Sequence, residues 1–182
     1  MPNYLKAPLT EEDHVQGPPD APATLLEYGD FQCPYCGAAY PIVKKVQEYF
    51  GDDLRFAFRH FPLVNVHPFA EPAAETAEWA GSHGRFWEMH DLLFENQQRL
   101  SPQLFFVLAD QLDLDPDELA TALEEGRFQN RVRRDLYSGL ESGVHGTPTF
   151  FINGEMHMGS FAFDDLVATI QEKVAARLRR AG

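Results

Sequence analysis

Apolar residues change their spacing from one segment of this chain to the next, and each spacing predicts an element. The run "ATLLEYGDF", residues 23–31, is a short, mostly apolar block interrupted by Gly29, which is typical of a buried strand followed by a turn. In "LRFAFRHFPL", residues 54–63, phenylalanines alternate with basic residues, as in a second strand. Two strands are therefore predicted in the first part of the chain.

The segment between these strands has the spacing of a helix. Gly51 provides a plausible end for this helix, and Pro41 interrupts it, so we expect a kink at Pro41. The helix begins at Cys33, directly after the turn. Its apolar positions recur on one face: Ala39, Tyr40, Val43, Val46 and Phe50.

The second half of the chain begins with a helical block and returns to strands. Residues 68 to about 142 are rich in Ala, Glu, Leu and Gln and contain several breaks, which predicts four or five helices. After them, "TFFI" and "EMHMG" flank Asn153-Gly154, a strong hairpin signal. Residues 163–180 form an amphipathic closing helix. The predicted order is strand, helix, strand, helical block, strand hairpin, helix.

This order indicates one α/β domain with an insertion. We predict an N-terminal lead-in over residues 1–20 and a main domain over 21–182, with the helical insertion at about 68–142. A chain of 182 residues can bury a sizeable core, so it does not need disulfides for stability.

Charge and hydropathy exclude several kinds of partner. The net charge of −13 argues against binding to nucleic acid, which relies on clustered Lys and Arg. No stretch approaches the roughly 20 apolar residues that cross a bilayer, so no membrane partner is expected. The first residues lack a basic and then apolar secretory pattern. We therefore expect a cytoplasmic protein, or a periplasmic or extracytoplasmic one if the chain is a trimmed mature form.

The two cysteines of the chain, Cys33 and Cys36, allow three interpretations. A structural disulfide would close too small a loop to constrain the unfolded chain much. A structural zinc site needs about four ligands, and a second cysteine pair is absent. His60, His67 or His145 would complete such a site in principle, but none has ligand spacing relative to the others. A redox pair needs fewer residues, and the strand before it and the helix after it favour this interpretation.

Position in the helix gives the two sulfurs different roles in the redox interpretation. A sulfur at a helix N-terminus faces unpaired backbone N–H groups, which lower the pKa of such thiols to roughly 3.5–7.5. Cys33 is therefore predicted to be the exposed nucleophile. Cys36, one turn later on the buried side, would attack a mixed disulfide formed on Cys33 and release the partner.

Three features together resemble the DsbA-like branch of the thioredoxin fold. They are "EYGDFQCPYC" followed by Pro41, the later "GVHGTPTFFING", and the all-helical segment between them. The resemblance implies a thioredoxin fold with an inserted helical subdomain, and it needs no cofactor and no metal. It also implies that Thr147-Pro148 carries a cis-proline whose loop holds the substrate chain.

The dipeptide between the cysteines differs from that of the strongly oxidising members of this family. It is Pro34-Tyr35 here, whereas those members carry Pro-His. Because Tyr35 stabilises a thiolate less than a cationic His would, we expect a milder oxidant. Pro34 and Tyr35, together with the residues of the cis-proline loop, make up the predicted substrate-binding surface.

Two further residues are candidates for supporting roles. Glu27 lies in the middle of an apolar strand, where an unpaired carboxylate is costly unless it has a role. In the resembled fold this acid relays a proton to or from the second cysteine; otherwise Glu27 points outward from an edge strand. His145, three residues before Pro148, either contacts substrate and tunes the thiolate or is a solvated loop residue.

The sequence therefore predicts a thiol-disulfide oxidoreductase. Cys33 attacks, Cys36 resolves, Glu27 moves protons and Pro148 positions the partner, while the direction of the reaction stays open. The expected partners are protein or peptide thiols and disulfides and a redox protein that recycles the enzyme, and the chain is expected to be a monomer. The alternative is a thioredoxin-like module that binds peptides or a metal without turnover.

Overall fold

The structure is a computed structural model, and it describes residue 1 and residues 3–181. The strands in that part of the chain are β1 His14–Gln16, β2 Ala23–Gly29, β3 Leu54–His60, β4 Thr149–Ile152 and β5 Glu155–Met156. They form one sheet in the order β1-β3-β2-β4-β5. Three neighbouring pairs, β1 with β3, β2 with β4, and β4 with β5, are antiparallel.

Strand position in the sheet explains the pattern of each strand. β2 lies in the centre, and six of its seven residues are buried, which is why its sequence is mostly apolar. β1 lies at the edge and all three of its residues are half-buried. The predicted polar lead-in therefore contains a strand that its sequence does not signal, because three residues are too few to show a period.

The helices in the described residues follow the predicted order. They are α1 Pro34–Phe50, α2 Ala70–Ser82, α3 Phe86–Glu95, α4 Pro102–Gln111, α5 Pro116–Glu124, α6 Gln129–Glu141 and α7 Phe163–Ala181. α1 continues through Pro41, and the kink expected there stays a prediction.

Capping residues explain where two of the inserted helices begin. The Ser101 hydroxyl accepts a hydrogen bond from the Leu104 amide at 3.2 Å, and Pro102 follows at the first helical position of α4. The Asp115 carboxylate accepts from the Asp117 amide at 2.9 Å at the start of α5. Each helix thus begins with an N-cap side chain that accepts a hydrogen bond from an otherwise unpaired backbone amide. The proline that follows has no N–H, so it adds no unpaired donor.

The chain divides into two compact units. Unit 1 contains Met1–Tyr28, Ala38–Arg59 and Ser138–Gly182, and unit 2 contains Gly29–Gly37 and His60–Tyr137. The buried core of unit 1 includes Leu25, Leu26, Tyr28, Phe56, Phe58, Phe151, Leu166 and Ile170. In unit 2, α2 packs against α3, α4 and α5, and the buried side chains include Phe31, Trp79, Met89, Leu93, Phe105, Leu108 and Leu119.

Candidate redox site

The cysteines lie where the sequence places them, at the start of α1. Cys33 immediately precedes Pro34, the first residue of the helix, and its carbonyl accepts the Gly37 amide at 3.0 Å. Cys36 lies in the first turn and is fully buried, while the Tyr35 side chain beside it is 67% exposed. Cys33 is therefore the N-terminal residue of the pair, as a nucleophile activated by a helix N-terminus requires.

The expectation that Cys33 is exposed is wrong, because its exposed fraction is only 3%. Both its backbone polar groups are engaged by side chains of unit 2. The Asp30 carboxylate accepts its amide, and the Gln97 side chain donates to its carbonyl. These tertiary contacts enclose a residue that helix position alone would leave at the surface.

The buried carboxylate of Asp30 organises the turn between β2 and α1. Oδ1 accepts the amides of Gln32 at 2.7 Å and Cys33 at 3.2 Å. Oδ2 accepts the Leu63 amide at 2.9 Å and is 2.7 Å from Nδ1 of His67. Asp30 is 1% exposed, so these four contacts replace the water that its charge would otherwise bind.

The backbone of Asp30 also reaches the second cysteine. Its N–H points at Sγ of Cys36, with an N to S distance of 3.5 Å. A backbone N–H in this position stabilises negative charge that develops on the sulfur. Asp30 thus contacts both cysteines, one through its carboxylate and the other through its amide.

Gln97 holds the other side of the turn. Its Nε2 donates to the carbonyls of Phe31 at 2.9 Å and Cys33 at 2.8 Å. A Cβ on Gly37 would lie 2.2 Å from Oε1 of Gln97, so any larger residue at this position would displace the end of the Gln97 side chain. Gln32 adds a third hydrogen bond that fixes the turn, since its Oε1 accepts the Phe69 amide at 2.7 Å.

Three histidines lie around this turn. The Phe31 ring lies 5.9 Å from the His60 ring and 5.7 Å from the His90 ring, between ring centroids. His67 contacts the Asp30 carboxylate instead, with its side chain 18% exposed. His67 therefore supports the redox turn through the carboxylate of Asp30.

A buried polar cluster in unit 2 has the residue types of a metal site. Ligand atoms of His60, Glu78 and Asp135 lie within 4.8 Å of one another. Nε2 of His60 is 2.7 Å from Oε1 of Glu78, and Asp135 accepts the His60 amide at 3.0 Å. Arg131 pairs with both carboxylates, so a side-chain cation already supplies the positive charge there. We interpret the cluster as a structural ion network.

The remaining predicted site residues lie in unit 1. Glu27 is 2% exposed in β2 and faces Phe150 across the ladder, so the prediction that it is buried is confirmed. The Thr147-Pro148 peptide bond is cis, and Pro148 immediately precedes β4. Thr147 and Pro148 are half-buried, whereas His145 is exposed.

The antiparallel register brings the two predicted elements of unit 1 to the same end of the sheet. Tyr28 pairs with Thr149, the residue directly after Pro148, and Glu27 is the next residue along β2. The Thr149 hydroxyl donates to the Gly146 carbonyl at 2.8 Å, which ties the start of β4 to its preceding loop. Glu27 thus pairs with Phe150, two residues after the cis-proline, so the buried acid and the cis-proline lie at the same end of this strand pair.

A sheet in this order, a helix that begins at a Cys-x-x-Cys pair and a block of helices set before the strand hairpin define a DsbA-like thioredoxin fold. The chain belongs to the thioredoxin family, since the family model described as "Thioredoxin" matches residues 9–172. The predicted fold class, a thioredoxin fold with an inserted helical subdomain, is confirmed.

Two solved structures are similar to this chain over almost its whole length. BdbD from Bacillus subtilis, in an oxidised form, has a TM-score of 0.85 and 27% identity, and the match covers 95% of this chain and 98% of BdbD. Alpha-DsbA1 from Wolbachia pipientis has a TM-score of 0.83 and 20% identity, with 98% of each chain covered. The resemblance to the DsbA-like branch is therefore confirmed.

Sequence relatives of this chain include much longer proteins. A Na(+)/H(+) antiporter NhaA 1 of Salinispora arenicola is 46% identical over 170 residues, which are 93% of this chain and 26% of the antiporter. The chain thus spans about a quarter of the length of that relative. Among the described residues of this chain, no helix has the length and apolar character needed to span a membrane.

Proposed function

We propose that the protein is a thiol-disulfide oxidoreductase that exchanges disulfides with protein or peptide thiols through Cys33 and Cys36. The observation that carries this proposal is the arrangement around Asp30. Its carboxylate holds the Cys33 amide at the helix start, and its own amide donates to the Cys36 sulfur. A structural pair of thiols does not need a donor aimed at the second sulfur, whereas a leaving group does.

In the oxidising direction, a substrate thiolate attacks Sγ of Cys33 in the Cys33–Cys36 disulfide. The S–S bond breaks, a mixed disulfide forms on Cys33, and Cys36 leaves as a thiolate next to the Asp30 amide. A second substrate thiolate then attacks the substrate sulfur of the mixed disulfide and displaces Cys33. Two electrons pass to the cysteine pair, and the substrate gains one disulfide. The same steps in reverse reduce a substrate disulfide.

Glu27 is proposed to exchange the proton that Cys36 gains or loses in these steps. Its burial supports this role, because a carboxyl group in a strand interior is costly to retain without one. Family membership supports it as well, since the resembled fold uses an acid at this strand position. Proton transfer at Cys36 would keep the departing thiolate from returning to the mixed disulfide.

The substrate-binding surface is proposed to consist of Pro34 and Tyr35 together with Thr147, Pro148 and His145. Tyr35 and His145 are exposed and therefore accessible to a bound chain. Pro148 would position the backbone of the substrate ahead of β4. Protein or peptide thiols, and a redox protein that recycles the pair, are the partners that this reaction requires.

A trapping experiment tests the proposal. In Cys36→Ser the mixed disulfide on Cys33 has no internal thiol to resolve it. Covalent adducts should therefore accumulate with a test protein whose thiols carry thionitrobenzoate as mixed disulfides, because Cys33 attacks the protein sulfur and thionitrobenzoate leaves. The adducts should disappear on addition of reductant. The double variant Cys33→Ser/Cys36→Ser is the matched control and should form none.

Turnover provides the second readout. The unaltered chain should catalyse oxidation of a reduced test protein or reduction of insulin, and Cys33→Ser should abolish both activities. If the unaltered chain has neither activity and Cys36→Ser traps nothing, the binding-module alternative replaces the enzyme. Metal analysis of the purified chain then distinguishes a peptide-binding module from a metal-binding one.

A further inference from the structure

Unit 1 contains a cavity of about 660 Å³ between the N-terminal segment, the sheet and α7. This volume is within the range of roughly 300–1,000 Å³ that is typical of small-molecule sites. None of the residues of the redox turn lines it. Its apolar lining includes Leu5, Leu9, Leu26, Phe151 and Ala176.

The polar lining of the cavity is basic. Arg55, Lys173, Arg177 and Arg180 line it, whereas the one acidic residue in the lining is Glu155, which pairs with Lys173. Three arginines thus remain at a cavity of a chain whose net charge is −13. Basic residues concentrated against the overall charge of a molecule indicate an anionic ligand.

Two of the arginines of the cavity, Arg55 and Arg177, have neutral hydrogen-bond partners. Arg55 donates to the Thr24 hydroxyl at 3.2 Å, and Arg177 donates to the Pro22 carbonyl at 3.0 Å. Neither of them, nor Arg180, forms an ion pair with any carboxylate among the described residues. These hydrogen bonds hold the guanidinium groups in place and leave their charge uncompensated.

The wall that the N-terminal segment contributes is fixed. The Leu5 amide donates to the Gly154 carbonyl at 2.8 Å. The buried Arg59 donates to the carbonyls of Ala7 at 2.8 Å and Pro8 at 3.1 Å. Because these contacts lie along the segment, the cavity is preformed, and a ligand would bind without first ordering its wall.

We propose that this cavity binds a small organic anion with an apolar body. The carboxylate or sulfonate would lie at Arg55 and Arg177, and the apolar body would contact the accessible side chains of Leu5, Leu9 and Ala176. A purely inorganic anion would leave these apolar side chains without a contact, and a neutral apolar ligand would leave the arginines without a partner of opposite charge. This binding site is independent of the thiol chemistry proposed above.

Two matched probes test the proposal. Anilinonaphthalenesulfonate is an aromatic anion, and phenylnaphthylamine has the same rings without the sulfonate. Fluorescence titration should give one site per chain for the anion, with weaker binding of the neutral probe. Arg177→Gln should weaken binding of the anion by roughly tenfold, the loss of about one charge-assisted hydrogen bond, and leave the neutral probe unchanged.

The controls use the same helix. Arg179→Gln removes an equal charge from α7 at a position that does not line the cavity, and it should leave binding of the anion within roughly twofold. Ala176→Trp fills the cavity and should abolish binding of both probes. A thermal unfolding curve for each variant shows that it is folded before it is titrated.

Two results would overturn the proposal. In one, the anion binds Arg177→Gln and Ala176→Trp as tightly as it binds the unaltered chain. In the other, Arg177→Gln weakens sedimentation with phosphatidylglycerol vesicles while binding of the anion is unchanged. The second result would assign the basic residues to a lipid surface instead of to a small ligand.

Discussion

Two regions of unit 2 each contain a buried carboxylate, and the two carboxylates differ in their hydrogen bonds. In the redox turn, Asp30 accepts three backbone amides and lies against His67. In α2, Oε2 of Glu75 is buried and has no hydrogen-bond partner among the described residues. Glu75 is 5% exposed, so its carboxylate is largely shielded from bulk solvent.

The difference appears in the ionisation of Glu75. The pKa of Glu75 is raised to about 7, chiefly by burial; the nearby Glu71 charge contributes to the increase and Arg133 offsets part of it. One turn further along α2, Nε1 of Trp79 is also buried without a partner among the described residues. Helix α2 therefore contains unsatisfied polar groups, whereas the redox turn satisfies its charge with donors that also fix the cysteines.

The comparison shows that burial alone does not identify a functional carboxylate. What distinguishes Asp30 is the identity of its donors, because one of them belongs to Cys33 and its own amide reaches Cys36. Glu75 has no comparable connection to the thiols. The number and origin of the donors, not the depth of burial, separate an acid that organises a site from one that only destabilises the fold.

The largest expected effect is that of Asp30→Ala. It leaves buried amides without an acceptor, so the free energy of unfolding should fall by about 3–5 kcal/mol. Thiol-disulfide exchange should fall as well, because the Cys33 amide loses its side-chain acceptor and keeps only the Asp30 carbonyl. Urea unfolding measures the first effect, and oxidation of a reduced test protein measures the second.

Asp20→Ala is the matched control for Asp30→Ala, since Asp20 is exposed. It should change the free energy of unfolding by less than about 0.5 kcal/mol. Equal stability of Asp30→Ala and Asp20→Ala would show that the contacts of Asp30 do not support the turn.

The second prediction is a gain in the free energy of unfolding, and its size depends on pH. Glu75→Gln should stabilise the protein at pH values above about 7, by roughly 1–3 kcal/mol, because it removes a carboxylate that burial disfavours. Below a pH of about 4.5, the ordinary value for Glu, the carboxyl group is protonated in both states and burial has no ionisation cost. As the pH rises towards 7, the unfolded chain ionises first, so the stability of the unaltered protein falls.

Unfolding by urea at several pH values checks this prediction. The advantage of Glu75→Gln should be absent near pH 4, grow between about 4.5 and 7 and then level off. Glu124→Gln, at an exposed position of α5, should show no such growth. A constant difference between Glu75→Gln and the unaltered chain across the pH range would contradict the assignment of the shift to burial.

The fold follows from local patterns wherever an element is long enough to show a period. The apolar run of β2 and the Asn153-Gly154 turn between β4 and β5 are visible in the sequence because each is encoded by adjacent residues. β1 is not visible, since His14–Gln16 has three half-buried residues and is defined by its pairing with β3. Residues 14–16 are a strand because they pair with β3, which no pattern within these three residues reveals.

The residues of the site also differ in whether the local sequence reveals them. Cys33, Cys36 and Glu27 could be found from the sequence because their residue types stand out against their immediate neighbours. Asp30 carried a local signal that was missed, an acid just after a buried strand with amides two and three residues later. Gln97 carried none, since it lies 64 residues from the Cys33 carbonyl that it contacts.

The smallest expected effect tests how Gly37 and Gln97 share the space beside the redox turn. An added methyl group at Gly37 would lie 2.2 Å from Oε1 of Gln97, so Gly37→Ala should force this side chain away from the carbonyls of Phe31 and Cys33. We expect a loss of about 1–2 kcal/mol in the free energy of unfolding and a shift in the reduction potential of the cysteine pair.

In a Gln97→Ala background the Gln97 side chain no longer blocks the added methyl group, and alanine favours a helix over glycine by about 0.5–1 kcal/mol. Gly37→Ala should therefore become neutral or stabilising in that background, and the two variants should couple strongly in a double-mutant cycle. Equal effects of Gly37→Ala with and without Gln97 would show that the glycine is retained for another reason, and an unchanged potential in Gln97→Ala would limit Gln97 to a structural role.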